Sequence, residues 1–300
     1  MKTIVVFGAS GRQGGGVVRA LKEQGLFRVR AISRDPARVA GLGADEVVSA
    51  DLTRPETLEP AFAGAHGAFV VTNFWEGPGV DELAQGRAAL GAARAAGVGH
   101  FIWSTLPNVE VISKGAFDVP HFTKKAEVET LVSKAGFPAH TFVEAPFYFQ
   151  NLTGQMGAQP QADGSKAWAM PMSPEARVIN MGDVGELGTV VAGAFAHPER
   201  VGGGQHLALS GDMLSWNDIV TTLRDQGHNI GYHPVPGEVF DTFFPQAREL
   251  REMMNYFEAH TYFGPDADEK IALAREVATA APTSFADWAR KNYPVTEPAQ

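Results

Sequence analysis

Cysteine is absent from all 300 residues. Disulfides, thiolate nucleophiles and thiol-based redox sensing are thereby excluded, which agrees with a reducing cytoplasm. Basic charge is scarce as well. Twenty-five Lys and Arg face 34 Asp and Glu, the formal net charge is −9, and no cluster of Lys and Arg offers a face for nucleic acid. No apolar stretch is long enough to span a bilayer. The first apolar run begins at Thr3 and leaves no room for a cleaved leader, so a cytoplasmic protein is expected. A Gly-x-Ser-x-Gly elbow is missing, and with it support for serine hydrolase chemistry. His197, His206, His228, His233 and His260 show no zinc-ligand spacing, and Asp266, Asp268 and Glu269 read as first-turn acids of a helix, not a calcium loop. No metal, nucleic acid or membrane partner is expected.

Glycine, by contrast, is plentiful and patterned. The apolar run Thr3–Phe7 stops at Gly8, and glycines recur at 8, 11 and 14 before a helical pattern carrying Val17, Val18 and Leu21. A glycine directly after a strand permits a sharp turn, the second lets the backbone approach a pyrophosphate, and the third lets helix and strand pack closely. Paired phosphates would rest on the free amides and positive end of that helix. Three spaced glycines alone say little, but between a buried strand and an amphipathic helix they predict a dinucleotide site.

Strand and helix patterns then alternate. Strands are predicted at Thr3–Phe7, Arg28–Ile32, Glu46–Ser49, Ala68–Val71, His100–Trp103 and His140–Val143. Helices fall at Gln13–Gln24, Pro36–Ala40, Pro55–Ala63, Val80–Ala96 and Pro120–Ala135, with Gly25, Gly64, Gly97 and Gly136 just beyond four of them. The alternation implies an α/β fold, a Rossmann-type doubly wound parallel sheet. Beyond Pro146 the rhythm changes. Residues 146–175 read as loop with short elements. Helices resume at Asp183–Ala196 and at Trp216–Gln226, the latter behind a Ser215/Asp218 capping box. Strands are expected at Gln205–Ser210 and Ile230–Val235, and a helical tail from Glu238 to Arg290 with breaks at Pro245, Gly264–Pro265 and Pro282.

At the end of the second strand an acid would bind the ribose hydroxyls of NAD, and a base the 2′-phosphate of NADP. Arg34 stands there, with Arg12 in the glycine loop and Arg38 one turn further on. A guanidinium fork suits a phosphate dianion. Asp35 is the counter-argument, and solvated surface charge is the plain alternative for all three arginines. NADP(H) is the expected cofactor. Residues 1–150 would be the NADP(H)-binding Rossmann domain. Residues 151–300 would form a smaller mixed α/β lobe for substrate binding or regulation, one strand near 205–210 returning to the main sheet.

Four segments then resemble one family. They are Gly8-Ala9-Ser10-Gly11-Arg12-Gln13-Gly14-Gly15, Val71-Thr72-Asn73-Phe74-Trp75-Glu76, His121-Phe122-Thr123-Lys124-Lys125-Ala126-Glu127-Val128-Glu129 and Pro146-Phe147-Tyr148-Phe149-Gln150-Asn151-Leu152. Their order and content resemble the NmrA-like family, a branch of the atypical short-chain dehydrogenase/reductases, and its redox-sensing members over nearly the whole chain. The resemblance implies that Gly8, Ser10, Gly11, Arg12, Gln13 and Gly14 hold the pyrophosphate, and that Arg34 and Arg38 take the adenosine phosphate. It places Asp51 and Leu52 beside the adenine, and Thr72, Asn73 and Phe74 along the cofactor's path. Lys125 would reach the nicotinamide ribose, and Tyr148, Phe149 and Asn151 would close over the nicotinamide. A family lysine on the helix after Trp75 is replaced here by Ala84.

Most short-chain reductases use Tyr-x-x-x-Lys, the lysine lowering the tyrosine pKa so that the phenol can pass a proton. In this chain His121, not tyrosine, precedes Lys125 by one helical turn. Two readings follow. The leading one is a redox-sensor-like NADP(H)-binding protein with weak or no dehydrogenase activity, acting through a regulatory protein partner as a monomer or homodimer. The other is an NADPH-dependent reductase of an aromatic carbonyl, imine or quinone-like substrate, with His121 as proton donor beside Lys125. The bland role for His121 is a structural residue at a helix start. Phe74, Trp75, Phe147, Tyr148, Phe149 and Trp168 would line an aromatic pocket or simply fill a core. Ser104 and Thr105 end the fifth strand, where short-chain enzymes keep a serine that orients a carbonyl.

Overall fold

Alternate residues of the first strand serve two different cores. In the computed structural model, which describes residues 1–77, 79–154 and 156–293, Ile4 and Val6 of β1 (Thr3–Val6) pack into one apolar cluster, while Val5 and the following Phe7 pack into another. A strand buried on both faces belongs inside a parallel sheet covered on both sides. The other strands from the first half are β2 (Arg28–Ser33), β3 (Glu46–Ser49), β4 (Gly67–Val70), β5 (His100–Thr105) and β6 (Ala139–Glu144). A seventh strand, Gly203–Ala208, comes from the second half of the chain and pairs parallel with β6. The order is seventh strand, β6, β5, β4, β1, β2, β3, all parallel. The direction of winding reverses between β1 and β4, and such a switch point opens a crevice beyond the carboxyl ends of the strands.

Helix α1 (Arg12–Gln24) lies on one face of the sheet, and α2 (Leu58–Phe62), α3 (Glu82–Ala95) and the later helix Pro120–Lys134 contribute to the other. Gly25, Gly64, Gly97 and Gly136 all have φ near +70° (71, 68, 73 and 70), the left-handed geometry that ends helices. α4 (Val109–Ser113) was not expected. It is a single turn capped by Asn108, whose side chain accepts from the Val111 amide at 3.1 Å, and one turn is too short to show a helical period. α5 spans Pro120–Lys134, and α6 spans Leu187–Ala196 after a short 3-10 turn capped by Asp183. α6 crosses α1 where Gly16 and Gly188 abut. A Cβ on Gly16 would stand 2.2 Å from the Gly185 carbonyl oxygen, and one on Gly188 would stand 2.2 Å from that of Gly16.

The segment 146–175, read as loop with short elements, contains a strand, Lys166–Met170, which pairs with Ile230–Pro234 and Gln159–Pro160 in a small sheet. A second small sheet joins Phe147–Tyr148, Ile179–Gly182 and Asp212–Leu214. Both halves of the Ser215/Asp218 capping box form. The tail breaks where its prolines and glycine fall, giving helices Gly237–Phe240, Ala247–His260, Ala267–Val277 and Phe285–Asn292. Among the described residues no helix is long and apolar enough to cross a membrane.

Candidate functional site

The glycine loop is shaped by contact. Gly8 sits at φ +66°, and a Cβ there would meet Val71 Cγ1 at 2.7 Å; a Cβ on Gly14 would lie 2.3 Å from the Gly8 carbonyl oxygen. No side chain caps the N-terminus of α1 at Gly11, and its first turn holds no acid. Its amides and dipole therefore face the crevice unopposed, which fits a bound pyrophosphate. A groove of about 380 Å³ runs along this loop, lined also by Arg34, Asp51, Leu52, Thr72 and Asn73.

At the far end of the groove, exposed Arg34 forms an ion pair with Glu76 from the short turn Phe74–Glu76. Asp35 is engaged elsewhere: its carboxylate accepts from the Ala37 amide at 3.1 Å and caps the turn Pro36–Leu42. Burial works against ionisation of Asp51, but hydrogen bonds from Thr53 and the charges of Arg34 and Arg54 hold it below its usual value. Arg38 is exposed in the Pro36–Leu42 turn and does not line the groove.

Arg12, Gln13, Thr72, Asn73 and Tyr148 also border a second cavity of about 680 Å³, so the two spaces adjoin. Gln13 forms the waist. Its amide nitrogen donates to Tyr148 Oη at 2.8 Å, and its amide oxygen accepts from Ser104 Oγ at 2.7 Å. Burial pushes the Tyr148 phenol up, against the opposing Gln13 hydrogen bond and Arg12 charge. Asn151 lines this cavity, as do Phe74, Trp75 and Phe147. Phe149 does not; it is fully buried against Phe285 and Trp288. Trp168 lines a third cavity further out.

Lys125 and His121 both reach the second cavity from α5. Lys125 Nζ donates to Thr72 O at 2.8 Å, to Thr72 Oγ1 at 2.9 Å and to the buried Glu82 carboxylate. An ammonium has three N–H donors, so the ribose contact expected of Lys125 would require it to release one of these partners. Desolvation draws the Lys125 pKa down, with Glu82 opposing. One Glu82 oxygen, Oε2, is buried without a partner. Glu82 was missed in the sequence because Asp81-Glu82 reads as two ordinary first-turn acids. Ala84, where the family has lysine, is exposed, its amide capped by Asp81.

His121 has a partner still more remote in sequence. Its Nδ1 lies 2.6 Å from Glu249 Oε1, and its amide donates to the same oxygen at 3.2 Å. Glu249 stands in the first turn of the helix Ala247–His260. The rings of Phe74, Trp75 and Phe122 surround the imidazole at 5.9, 5.0 and 4.9 Å between centroids. With Nδ1 fixed by the carboxylate, Nε2 is the nitrogen left for exchange on a side chain that lines the cavity.

A doubly wound sheet with a glycine-loop crevice at its switch point defines a Rossmann-type α/β protein. The profile of the NmrA-like family matches residues 1–289, and the chain belongs to that family. It is 31% identical over 306 alignment positions to an NmrA-like family domain-containing protein of Dictyostelium discoideum, covering 97% of this chain and 98% of the relative. An NmrA-like family domain-containing oxidoreductase of Aspergillus hancockii is 29% identical over 332 positions, covering 98% of each chain. Crystal structures of NmrA, a negative transcriptional regulator, have the same fold. One in complex with NADP and another in complex with NAD each superpose with a TM-score of 0.80 at 24% identity, over 98% of this chain and 96% of theirs.

Proposed function

We propose that this chain is an NADP(H)-dependent oxidoreductase that reduces a largely apolar carbonyl, imine or quinone-like acceptor. The observation that carries this is the His121–Glu249 pair on the wall of a 680 Å³ cavity adjoining the glycine-loop groove. Bound NADPH supplies the hydride. The uncapped N-terminus of α1 holds the pyrophosphate, Arg34 meets the 2′-phosphate by exchanging Glu76 for it, and Asp51 and Leu52 flank the adenine. Thr72, Asn73 and Tyr148 border the nicotinamide half. His121 donates a proton from Nε2 to the acceptor's oxygen or nitrogen, while Glu249 keeps Nδ1 protonated and the ring oriented. Asp35, committed to its turn, is not available to a ribose, which favours NADP over NAD. The name of the Aspergillus hancockii relative supports the same reading.

A panel of carbonyl, imine and quinone acceptors tests this through loss of NADPH absorbance. His121→Ala should cost about 100-fold or more in kcat, and Glu249→Gln less, with NADPH affinity retained in both. In titrations NADP should bind more tightly than NAD, and Arg34→Ala should remove most of the difference; equal affinities in the parent chain reject the preference. A sensor is the second reading, favoured by one observation: all three Lys125 donors are held by Thr72 and Glu82. Tight NADPH binding with no turnover of any acceptor would support it.

A further inference from the structure

We propose that the substrate of this site carries an extended, uncharged apolar tail, and that the tail lies in an annex between the strand Lys166–Met170 and the segment Phe240–Phe244. The inference rests on the oxidoreductase reading and specifies its substrate class. The annex is a cavity of about 640 Å³, and it shares Met156, Phe244, Gln246 and Leu250 with the cavity that holds His121 and Lys125. A molecule whose reducible head sits at His121 therefore has a lined path outward.

The chemistry of the walls differs sharply between the two spaces. Arg12, His121 and Lys125 border the inner cavity, whereas no Asp, Glu, Lys, Arg or His is among the described residues lining the annex. Among the described residues, three glutamines, Gln159, Gln161 and Gln246, are the only polar side chains lining it besides the Trp168 indole. That indole is itself satisfied, its Nε1–H donating to Met156 O at 2.8 Å. A charged tail would lose its hydration here with no counter-charge to replace it. An aliphatic or aromatic tail would gain Trp168, Met170 and Phe240, which are already buried, and would cover Phe243 and Phe244. Those two rings are 47% and 38% exposed, among the few large apolar side chains that the fold leaves in water. Trp168 is buried, lines the annex and does not line the inner cavity.

The experiment uses 2-alkyl-1,4-naphthoquinones with tails from methyl to decyl; the chain has no cysteine for a quinone to arylate. Binding is measured by tryptophan quenching in the presence of NADP, and reduction separately by NADPH oxidation. Affinity should rise about three- to fourfold per methylene over the first carbons, and a carboxylate at the tail's end should abolish the gain. Phe243→Ser, at a half-exposed position, should weaken the decyl compound about tenfold and leave the methyl compound and NADPH unchanged. Ala169→Phe, which fills the annex, should do the same. A dissociation constant independent of tail length, equal weakening of both quinones by Phe243→Ser, or no binding of any quinone would overturn the proposal. So would a dimer in light scattering that Phe243→Ser dissociates, since a second copy would then cover these rings. Tail-dependent binding without NADPH oxidation supports the annex and removes the oxidoreductase reading; NADPH oxidation with flat tail dependence does the reverse.

Discussion

Lys125 shows how far a residue's role can depend on a partner remote in sequence. Buried beside Glu82 and Thr72, it is held as an ion pair whose carboxylate is itself wholly inaccessible. Removing one member of such a pair leaves an uncompensated charge in a low-dielectric site, whereas removing both can be nearly neutral. Glu82→Ala should therefore lower unfolding free energy by about 3–5 kcal/mol, measured by denaturant titration. The double variant Glu82→Leu/Lys125→Met should recover most of that loss. A cost under about 1 kcal/mol for Glu82→Ala would mean that Lys125 already sits neutral, against the pairing described here. Tyr148 and Ser104 make the same point more gently: Ser104 is legible from its place at a strand end and Tyr148 from the family resemblance, but their common tie to Gln13 is not.

At the scale of elements, local chemistry was a good guide wherever a single segment decides its own conformation. Helix ends followed their glycines, the capping box at Ser215 formed, and the breaks of the C-terminal tail fell at Pro245, Gly264–Pro265 and Pro282. Elements of one turn or stabilised from outside were less legible. α4 exists through Asn108, and the strand Lys166–Met170 exists because Ile230–Pro234 pairs with it from more than sixty residues away. How elements cross is likewise set by neighbours. Gly16→Ala would force a Cβ to within 2.2 Å of the Gly185 carbonyl oxygen, and parting α1 from α6 should cost about 1–3 kcal/mol. Gly91→Ala is the control: it lies exposed on α3 with open space around it, and gains up to about 1 kcal/mol from helix propensity. Thermal unfolding of the two variants distinguishes a packing glycine from an incidental one.

For the whole molecule, the two halves of the chain meet through charge as well as through the seventh strand. Glu129 on α5 and Glu144 on β6 converge on His206 of the seventh strand, at 3.5 and 2.8 Å, and Lys270 reaches Glu144 at 3.0 Å from the helix Ala267–Val277. Burial pushes the Glu129 carboxyl up to about 7 from an ordinary value of 4.5, against the opposing His206 charge and Thr105 hydrogen bond. Burial pulls His206 down, but the Glu144 hydrogen bond and the charges of Glu129 and Glu144 prevail and raise it. Between pH 4.5 and 7 the folded state thus holds more protons at Glu129 than the unfolded chain, and its contribution to stability declines as pH rises through that window. His206 acts in the same direction above its ordinary value of 6.5. His100, lowered to about 4 mainly by burial, acts oppositely, losing stability as pH falls from 6.5 toward 4. The difference in Tm between the parent chain and Glu129→Gln reports the first effect together with the share of the His206 shift that the Glu129 charge supplies. The variant should gain relative to the parent as pH rises from 5 to 8, and a constant difference would refute the raised carboxyl.

The amino-acid sequence by itself determined the parallel sheet, the glycine loop and the crevice at its end, because strand period, turn geometry and helix capping act over a few residues. Gly8, Ser10 to Gly14 and Arg34, with Asp51, Leu52, Thr72 and Asn73 named through the family resemblance, line one space. Only the tertiary structure decided what the side chains in that space are tied to. Glu82 finds Lys125 across 43 residues, Glu249 finds His121 across 128, Phe149 packs against Phe285 and Trp288, and exposed Arg38 does not line the groove. Pairings of that kind have no local signature; they come from the crossing of helices and the return of the chain to the sheet, where burial makes each charge depend on the one brought beside it.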